Sequence, residues 1–344
     1  PADVETISAK GAVIAPGFVD LQLNGCGGVT FTDSITAEAL DAMHAANLKS
    51  GCTAFLPTLV STTQANMLAA MCLVSEYRTT RGPAPVLGLH LEGPYISGAR
   101  KGIHDGAHIR ALAPAMRDTL CAYAATTPLM LTLAPECVDW RDIRALADAG
   151  VVVSMGHTNA TYAEAKRGML AGARVATHLF NAMSPWQSRE PGAVGAVLDS
   201  QDIACGIIAD GVHSHFASIA LVKRLKRNHC FLVTDGTAPV GTDMKEFTFC
   251  GQTMQVRDGR CVNADGTLGG SMLTMIEAVR NCVLSVGIPL AESLRMASAY
   301  PAAILGQQAL VGGIVAGACA NLALFSPKTF AMAATVDRGT IHMW

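Results

Sequence analysis

Short apolar runs recur along this chain, and eight of them have the length and composition of buried strands. Mixed segments with helical character separate most of these runs. Strands that alternate with helices pair in parallel, so the pattern predicts an α/β fold of the (β/α)8 TIM-barrel type. The predicted strands cover about 18–24, 53–57, 86–92, 129–135, 151–157, 174–178, 203–209 and 230–235.

The pattern also predicts how the chain is divided. The barrel is expected over residues 16–309. Within it, residues 243–263 alternate polar and apolar positions, which predicts a β-hairpin inserted near the barrel mouth with its turn at Asp258-Gly259. Residues 1–15 and 310–344 predict a small β-sandwich-like appendage, and we expect its N-terminal part to be truncated.

Helix-terminating residues sharpen some of these boundaries. Asn159 is a candidate N-cap for a helix that ends at Gly172. Two later helices, at about 272–286 and 290–305, are predicted to complete the barrel.

Composition narrows the classes of function. Charged residues make up 15% of the 344 residues and the net charge is -2, which argues against nucleic acid and membrane surfaces as partners. No apolar stretch approaches the roughly 20 residues that a membrane span needs. The eleven cysteines form no Cys-x-x-Cys pair and are expected to be reduced. We therefore expect a cytoplasmic enzyme with a small-molecule substrate.

Four polar residues end predicted barrel strands. Glu92, His157, His178 and Asp235 each follow an apolar run. The carboxyl ends of barrel strands meet at one catalytic mouth, so these side chains are expected to lie together. Two imidazoles and a carboxylate suit one divalent ion, with zinc favoured and Fe²⁺, Co²⁺, Mn²⁺ and Cd²⁺ also compatible. The remaining aspartate is free to move protons.

Eight motifs, in order along the chain, carry a family resemblance. Together they resemble the N-acetylglucosamine-6-phosphate deacetylases of the amidohydrolase superfamily, over most of the chain from Val13 to Asn321. This resemblance implies hydrolysis of the acetamido group of N-acetyl-D-glucosamine 6-phosphate to D-glucosamine 6-phosphate and acetate. The motifs are GFVDLQLNGCGG, LGLHLEGPY, KGIHDGAH, SMGHTNAT, THLFNAMSP, REPG, GIIADGVH and LVTDG.

The residues and the resemblance together suggest a mechanism. Many amidohydrolases have two histidines where this chain has Gln22 and Asn24, and neutral amides are poor zinc ligands. A single ion held by the Glu92/His157/His178 set is therefore predicted. Asp235 would act as general base on the metal-bound water, and the resulting hydroxide would attack the amide carbonyl. Asp235 would then return the proton to the departing amine, while Gln22 could hydrogen-bond the water or the substrate.

The resemblance also implies residues that bind the substrate. His104 matches the histidine that polarises the scissile carbonyl. Arg189 and His213 match residues that bind the 6-phosphate, and in the family such contacts can come from the neighbouring subunit of a homodimer. Asn181 and Ala182 match positions that contact the sugar or phosphate, although Asn181 could instead serve the turn of its own loop.

Two other functions remain open at the sequence level. A related amidohydrolase could keep the barrel and the metal but act on N-acetylgalactosamine 6-phosphate or a cyclic amide. A non-catalytic barrel could bind a sugar phosphate without turnover. Because every predicted metal ligand and the base are present, the sequence favours an enzyme.

Overall fold

The protein is described by a computed structural model of residues 8, 9 and 11–344. The prediction that residues 1–15 join the appendage therefore lies partly outside the described residues.

Seventeen strands are found in the described part of the chain. In order they are β1 (Val13–Pro16), β2 (Phe18–Leu23), β3 (Gly25–Cys26), β4 (Val29–Thr30), β5 (Cys52–Val60), β6 (Leu89–Glu92), β7 (Leu129–Leu133), β8 (Val152–Met155), β9 (Val175–Ala176), β10 (Ala204–Ile207), β11 (Cys230–Leu232), β12 (Glu246–Phe249), β13 (Gln252–Arg257), β14 (Arg260–Val262), β15 (Leu322–Phe325), β16 (Met332–Asp337) and β17 (Thr340–Met343).

The same residues form ten α-helices, most of which follow barrel strands. They are α1 (Ala37–Leu48), α2 (Gln64–Arg81), α3 (Pro114–Ala124), α4 (Trp140–Asp148), α5 (Tyr162–Ala171), α6 (Gly192–Asp199), α7 (Phe216–Lys226), α8 (Met275–Asn281), α9 (Leu290–Ala297) and α10 (Ala299–Ile304). None of these helices is both long and apolar enough to cross a lipid bilayer.

Eight parallel strands form the predicted barrel. Their order in the sheet is β2, β5, β6, β7, β8, β9, β10 and β11, which is their order in the chain. The segment after β11 closes the ring onto the end of β2: Asp235 N donates to Gln22 O at 2.9 Å, and Gly25 N donates to Gly236 O at 3.0 Å. This closing seam brings the end of the first strand beside the end of the last.

Two smaller sheets lie outside the barrel. In the appendage, β1 pairs antiparallel with β15, which continues through β16 to β17. The segment near 243–263 differs from the predicted hairpin, because β12, β13 and β14 form three antiparallel strands. Asp258-Gly259 does form a turn, but Cys250 and Gly251 form another, with φ of 52° and 71°. Left-handed φ at both central residues is the geometry of a tight hairpin turn.

One predicted helix boundary also changes. The N-cap of α5 is Thr161, not Asn159, because the Thr161 hydroxyl accepts from Glu164 N while the Glu164 carboxylate accepts from Thr161 N. This reciprocal capping box satisfies two helix-end donors at once. The predicted end at Gly172 agrees with the structure.

Candidate active site

The mouth of the barrel brings together four acidic and imidazole side chains. Glu92 is the last residue of β6, His157 and His178 each lie two residues beyond β8 and β9, and Asp235 follows β11. All four are buried. His157, His178 and Asp235 have φ of 46°, 29° and 53°, a left-handed backbone that costs free energy for residues other than glycine. Such strain persists only where the surrounding structure holds it, often at functional sites.

Three of these side chains converge on one point. Glu92 Oε1 lies 3.2 Å from His157 Nε2 and 3.0 Å from His178 Nε2, and the two Nε2 atoms are 3.2 Å apart. These three residues form a buried group that could hold a metal ion. A carboxylate with two imidazoles is a known ligand set of catalytic zinc.

Hydrogen bonding orients one of these imidazoles for a metal. His157 Nδ1 lies 2.9 Å from Arg100 O, and because a carbonyl only accepts, Nδ1 carries the proton. In the neutral ring this leaves the lone pair on Nε2, facing Glu92 and His178. Burial alone would raise the pKa of Glu92, but the two neighbouring histidines lower it well below its ordinary value. The residues therefore fit a divalent ion.

Asp235 lies beside this group and is held by two amides. Its Oδ1 accepts from Gln22 Nε2 at 3.0 Å and from Asn24 Nδ2 at 2.7 Å. Gln22 Nε2 also donates to Glu92 Oε1 at 3.0 Å, so one amide group links both carboxylates. Burial, followed by the charge of Glu92, raises the pKa of Asp235 to about 6. A carboxylate with a raised pKa can both accept and return a proton near neutral pH.

His104 packs against His157 of this group. Its ring centroid is 4.4 Å from that of His157, and its Nδ1 is hydrogen-bonded to Ser61. Burial, followed by the charge of His157, lowers the pKa of His104 to about 3. The ring is therefore neutral at ordinary pH, which suits a hydrogen-bond donor rather than a fixed cation.

These groups open into a cavity of about 450 Å³, a volume suited to a small ligand. A model of the amidohydrolase family matches residues 13–342. This chain belongs to the amidohydrolase family.

Proteins similar to this amidohydrolase include deacetylases of N-acetylglucosamine 6-phosphate and of N-acetylgalactosamine 6-phosphate. The chain is 44% identical over 328 residues to N-acetylglucosamine-6-phosphate deacetylase of Haemophilus influenzae, covering 94% of this chain and 85% of that protein. The crystal structure of the deacetylase of the same name from Pasteurella multocida superposes with a TM-score of 0.96 at 43% identity, covering 100% of this chain and 90% of that one. A mutant of the Mycobacterium smegmatis enzyme, solved in complex with N-acetyl-D-glucosamine-6-phosphate, has a TM-score of 0.88 at 32% identity, covering 96% and 87%.

Most of the predicted site residues of this amidohydrolase do surround one cavity. Asn181 lines it, although its Nδ2 donates to His178 O at 3.2 Å and so also serves its own loop. Gln22 lies beneath the cavity between the two carboxylates, and its contact with substrate or water stays a prediction. The predicted residues that line the cavity are Glu92, His104, His157, His178, Asn181, Ala182, His213 and Asp235.

Arg189 is the other predicted residue that is not found in this lining. It is exposed on the loop before α6, three residues after the exposed Trp186. Its own chain does not bring it to the cavity that His213 lines.

The sequence did not identify three features of this amidohydrolase site. Ser61 holds His104, and its position directly after β5 was the available signal. Asp210 holds His213 Nδ1 at 2.6 Å and accepts from Val212 N and His213 N at 2.8 Å each. The inserted sheet and the loop after it supply a wall of the cavity, made of Phe249, Gly266, Thr267, Leu268 and Gly270.

Proposed function

We propose that this amidohydrolase removes the acetyl group of N-acetyl-D-glucosamine 6-phosphate, giving D-glucosamine 6-phosphate and acetate in amino-sugar catabolism. The observation that carries the proposal is the buried Asp235 carboxylate beside the Glu92/His157/His178 group, inside one cavity. The activity of the N-acetylglucosamine-6-phosphate deacetylases named above supports the choice of substrate. A phosphorylated sugar does not cross membranes unaided, so we place the reaction in the cytoplasm.

The metal would be held by Glu92, His157 and His178, with zinc favoured by this ligand set. When bound, such an ion polarises water and the amide carbonyl as a Lewis acid. Gln22 keeps Glu92 and Asp235 at a fixed separation, because its one amide group donates to both.

Asp235 moves the proton. Its carboxylate accepts a proton from the attacking water as the new carbon–oxygen bond forms. It then gives that proton to the amide nitrogen as the carbon–nitrogen bond breaks, so that the sugar leaves as an amine and the acyl group as acetate. Asn24 and Gln22 hold the carboxylate in place through both steps. His104 donates a hydrogen bond to the carbonyl oxygen, where negative charge develops.

The phosphate is bound at the other end of the cavity. His213, fixed by Asp210, faces this region together with Asn181 and Ala182. The exposed Arg189 supports a homodimer in which this residue enters the cavity of the neighbouring subunit, where guanidinium binds phosphate through two hydrogen bonds.

The first test is acetate release by zinc-loaded protein. We expect strong preference for N-acetylglucosamine 6-phosphate over the unphosphorylated sugar and over the galactosamine epimer. Asp235→Asn should keep zinc and substrate binding but lower kcat by about 10²–10⁴-fold, the usual contribution of general acid–base catalysis. Turnover near the parent level in this variant would remove Asp235 from the mechanism.

The homodimer is tested by mixing two variants that are impaired in different ways. Arg189→Ala should raise KM for the phosphorylated sugar and barely change the weak turnover of the unphosphorylated one. If Arg189 acts across the interface, refolded mixtures of Arg189→Ala and Asp235→Asn chains contain hybrids with one complete site, and activity returns. Mixtures no more active than the separate variants would place Arg189 in its own subunit's site or outside both.

A further inference from the structure

Ser61 lies at the same level of the barrel as the metal group. It follows directly after β5, whose last residue Val60 pairs in register with Glu92. Its side chain is buried. A polar residue at the carboxyl end of a barrel strand is in the position where this fold places its chemistry.

Two groups of Ser61 meet one atom of His104. The backbone N–H of Ser61 donates to His104 Nδ1 at 3.3 Å, and Ser61 Oγ lies 2.8 Å from the same nitrogen. A backbone N–H can only donate, so Nδ1 must be the acceptor and carries no proton. In the neutral ring the proton is then on Nε2. The opposite tautomer would direct two hydrogens at each other and leave a buried backbone N–H unpaired.

The other ring nitrogen is free to meet a ligand. Within residues 8, 9 and 11–344, no hydrogen-bond partner of His104 Nε2 is found, and His104 lines the cavity. The backbone beneath the ring is also held, because Lys101 Nζ donates to His104 O at 3.1 Å. The ring therefore presents one unused N–H to the cavity.

The hydroxyl of Ser61 has a close neighbour directly after the adjacent strand β6. A Cβ at Gly93 would lie 2.3 Å from Ser61 Oγ, and Gly93 has a left-handed φ of 84°. Only glycine fits this position without displacing the hydroxyl. The residue after the Glu92 ligand thus leaves space for the group that holds His104.

We propose that Ser61 is a positioning residue that holds His104 as the Nε2–H tautomer, so that the ring donates to the amide carbonyl oxygen. The effect on the ring rests on the geometry above, whereas its consequence for turnover rests on the proposed function.

The ring is tested by nuclear magnetic resonance on zinc-loaded protein with ¹⁵N-labelled histidine. Loss of one signal set in His104→Gln assigns this residue among the ten histidines. We expect a protonated Nε2 and an unprotonated, hydrogen-bonded Nδ1. In Ser61→Ala the backbone N–H at position 61 still donates to Nδ1, so the Nδ1 signal should move only part of the way toward that of an unbonded nitrogen. We expect kcat to fall about tenfold with KM nearly unchanged. Ser61→Thr, which keeps a hydroxyl, should recover part of both effects.

Ser293→Ala is the matched control. Ser293 is also fully buried and hydrogen-bonded, to Pro289 O at 3.3 Å, but it lies on α9 away from His104. The Ser293→Ala variant should leave the His104 signals and kcat unchanged.

The outcomes separate this inference from the proposed function. A protonated Nδ1 in the parent protein would overturn the assignment of the tautomer, whatever the activity. Unchanged Nδ1 signals and kcat in Ser61→Ala would overturn the positioning role. If the signals behave as expected but His104→Gln keeps full turnover, the ring geometry stands and the catalytic role of His104 fails.

Discussion

Two layers of polar side chains lie one above the other inside this barrel, and only the upper one is suited to bind a metal. In the lower layer, His90 Nδ1 lies 3.1 Å from Thr58 Oγ1 and its Nε2 lies 2.7 Å from Thr132 Oγ1. Thr132 Oγ1 is also hydrogen-bonded to Thr177 Oγ1 at 2.7 Å, and Thr177 Oγ1 lies 2.6 Å from Ser154 Oγ. Both nitrogens of this buried histidine are satisfied by hydroxyls.

The upper layer also contains buried histidines, but its polar groups are not all paired by hydrogen bonds. His157 Nε2 and His178 Nε2 lie 3.2 Å apart and share Glu92 Oε1, while His178 Nδ1 is buried with no hydrogen-bond partner in the described part of the chain. Hydroxyls can donate or accept as required, so they complete a closed network. Imidazole and carboxylate lone pairs that face one another instead leave a position for a cation. Complementarity of donors and acceptors, rather than residue type, separates a structural histidine from a ligand.

The largest effect should come from the upper layer. Glu92→Gln replaces the anionic ligand with a neutral amide, and we expect bound zinc to fall from about one per chain to near zero. Turnover should fall by roughly 10³-fold or more, because metal-ion catalysis contributes several kcal/mol and each 1.36 kcal/mol is a factor of ten. Elemental analysis and acetate release measure the two effects. Full zinc occupancy in this variant would mean that the converging lone pairs are not the metal site.

The lower layer should respond in stability rather than in metal content. His90→Leu removes both hydrogen bonds of the ring and should lower the free energy of unfolding by about 2 kcal/mol, since each buried partner left unpaired costs roughly 1–3 kcal/mol. Zinc content should stay near the parent value and kcat within about threefold. Chemical denaturation and zinc analysis test this. Zinc lost in proportion to stability would show that the two layers do not act separately.

A double variant sharpens the same prediction. Thr132→Val combined with His90→Leu removes both partners of the 2.7 Å hydrogen bond. Because removal of a whole pair costs less than removal of one member, the combined loss of stability should be smaller than the sum of the single losses. Strict additivity would argue against a closed network.

The sequence allowed prediction of the barrel and of the group that could hold a metal for a simple physical reason. Strands buried on both faces are almost entirely apolar, so a polar residue at the end of such a run is conspicuous, as at Glu92 and His178. His90 lies inside the same run as Glu92 and was interpreted from the sequence as a structural or surface residue, although only the three-dimensional structure shows the hydroxyls that pair with it. The exact cap at Thr161 depended on a reciprocal hydrogen bond with Glu164, and the Cys250-Gly251 turn lacked the usual Asn or Asp before its glycine.

Supporting residues were harder to predict than the groups they support. Ser61 and Asp210 act by holding a histidine, His104 and His213 respectively. Serine and aspartate at loop starts are common in any protein. Arg189 could be matched by resemblance, but its role in the proposed function depends on a second subunit.

A substitution at Asp210 has the smallest expected effect of these predictions. It separates the two layers most sharply, because Asp210 is fully hydrogen-bonded like the lower layer but lies at the barrel mouth. Its carboxylate accepts three hydrogen bonds from the 210–213 turn, including that of His213 Nδ1. Burial alone would raise the pKa of Asp210, but the hydrogen bond from His213 holds it below its ordinary value. It is therefore an anion at neutral pH and accepts the hydrogen bond that His213 Nδ1 donates.

Asp210→Asn keeps the shape of this turn and removes the charge. We expect KM for N-acetylglucosamine 6-phosphate to rise about tenfold, the scale of one charge-assisted hydrogen bond, with kcat and zinc content unchanged. Turnover of the unphosphorylated sugar should change by less than about twofold, and so should all parameters of Asp199→Asn, whose exposed carboxylate pairs with Lys166. Equal losses on both sugars would make Asp210 a structural residue like those of the lower layer. A loss confined to the phosphorylated sugar would mean that a fully hydrogen-bonded group at the mouth supports substrate binding. Hydrogen-bond pairing would then distinguish a metal-binding group from structural residues, but it would not mark the limit of the active site.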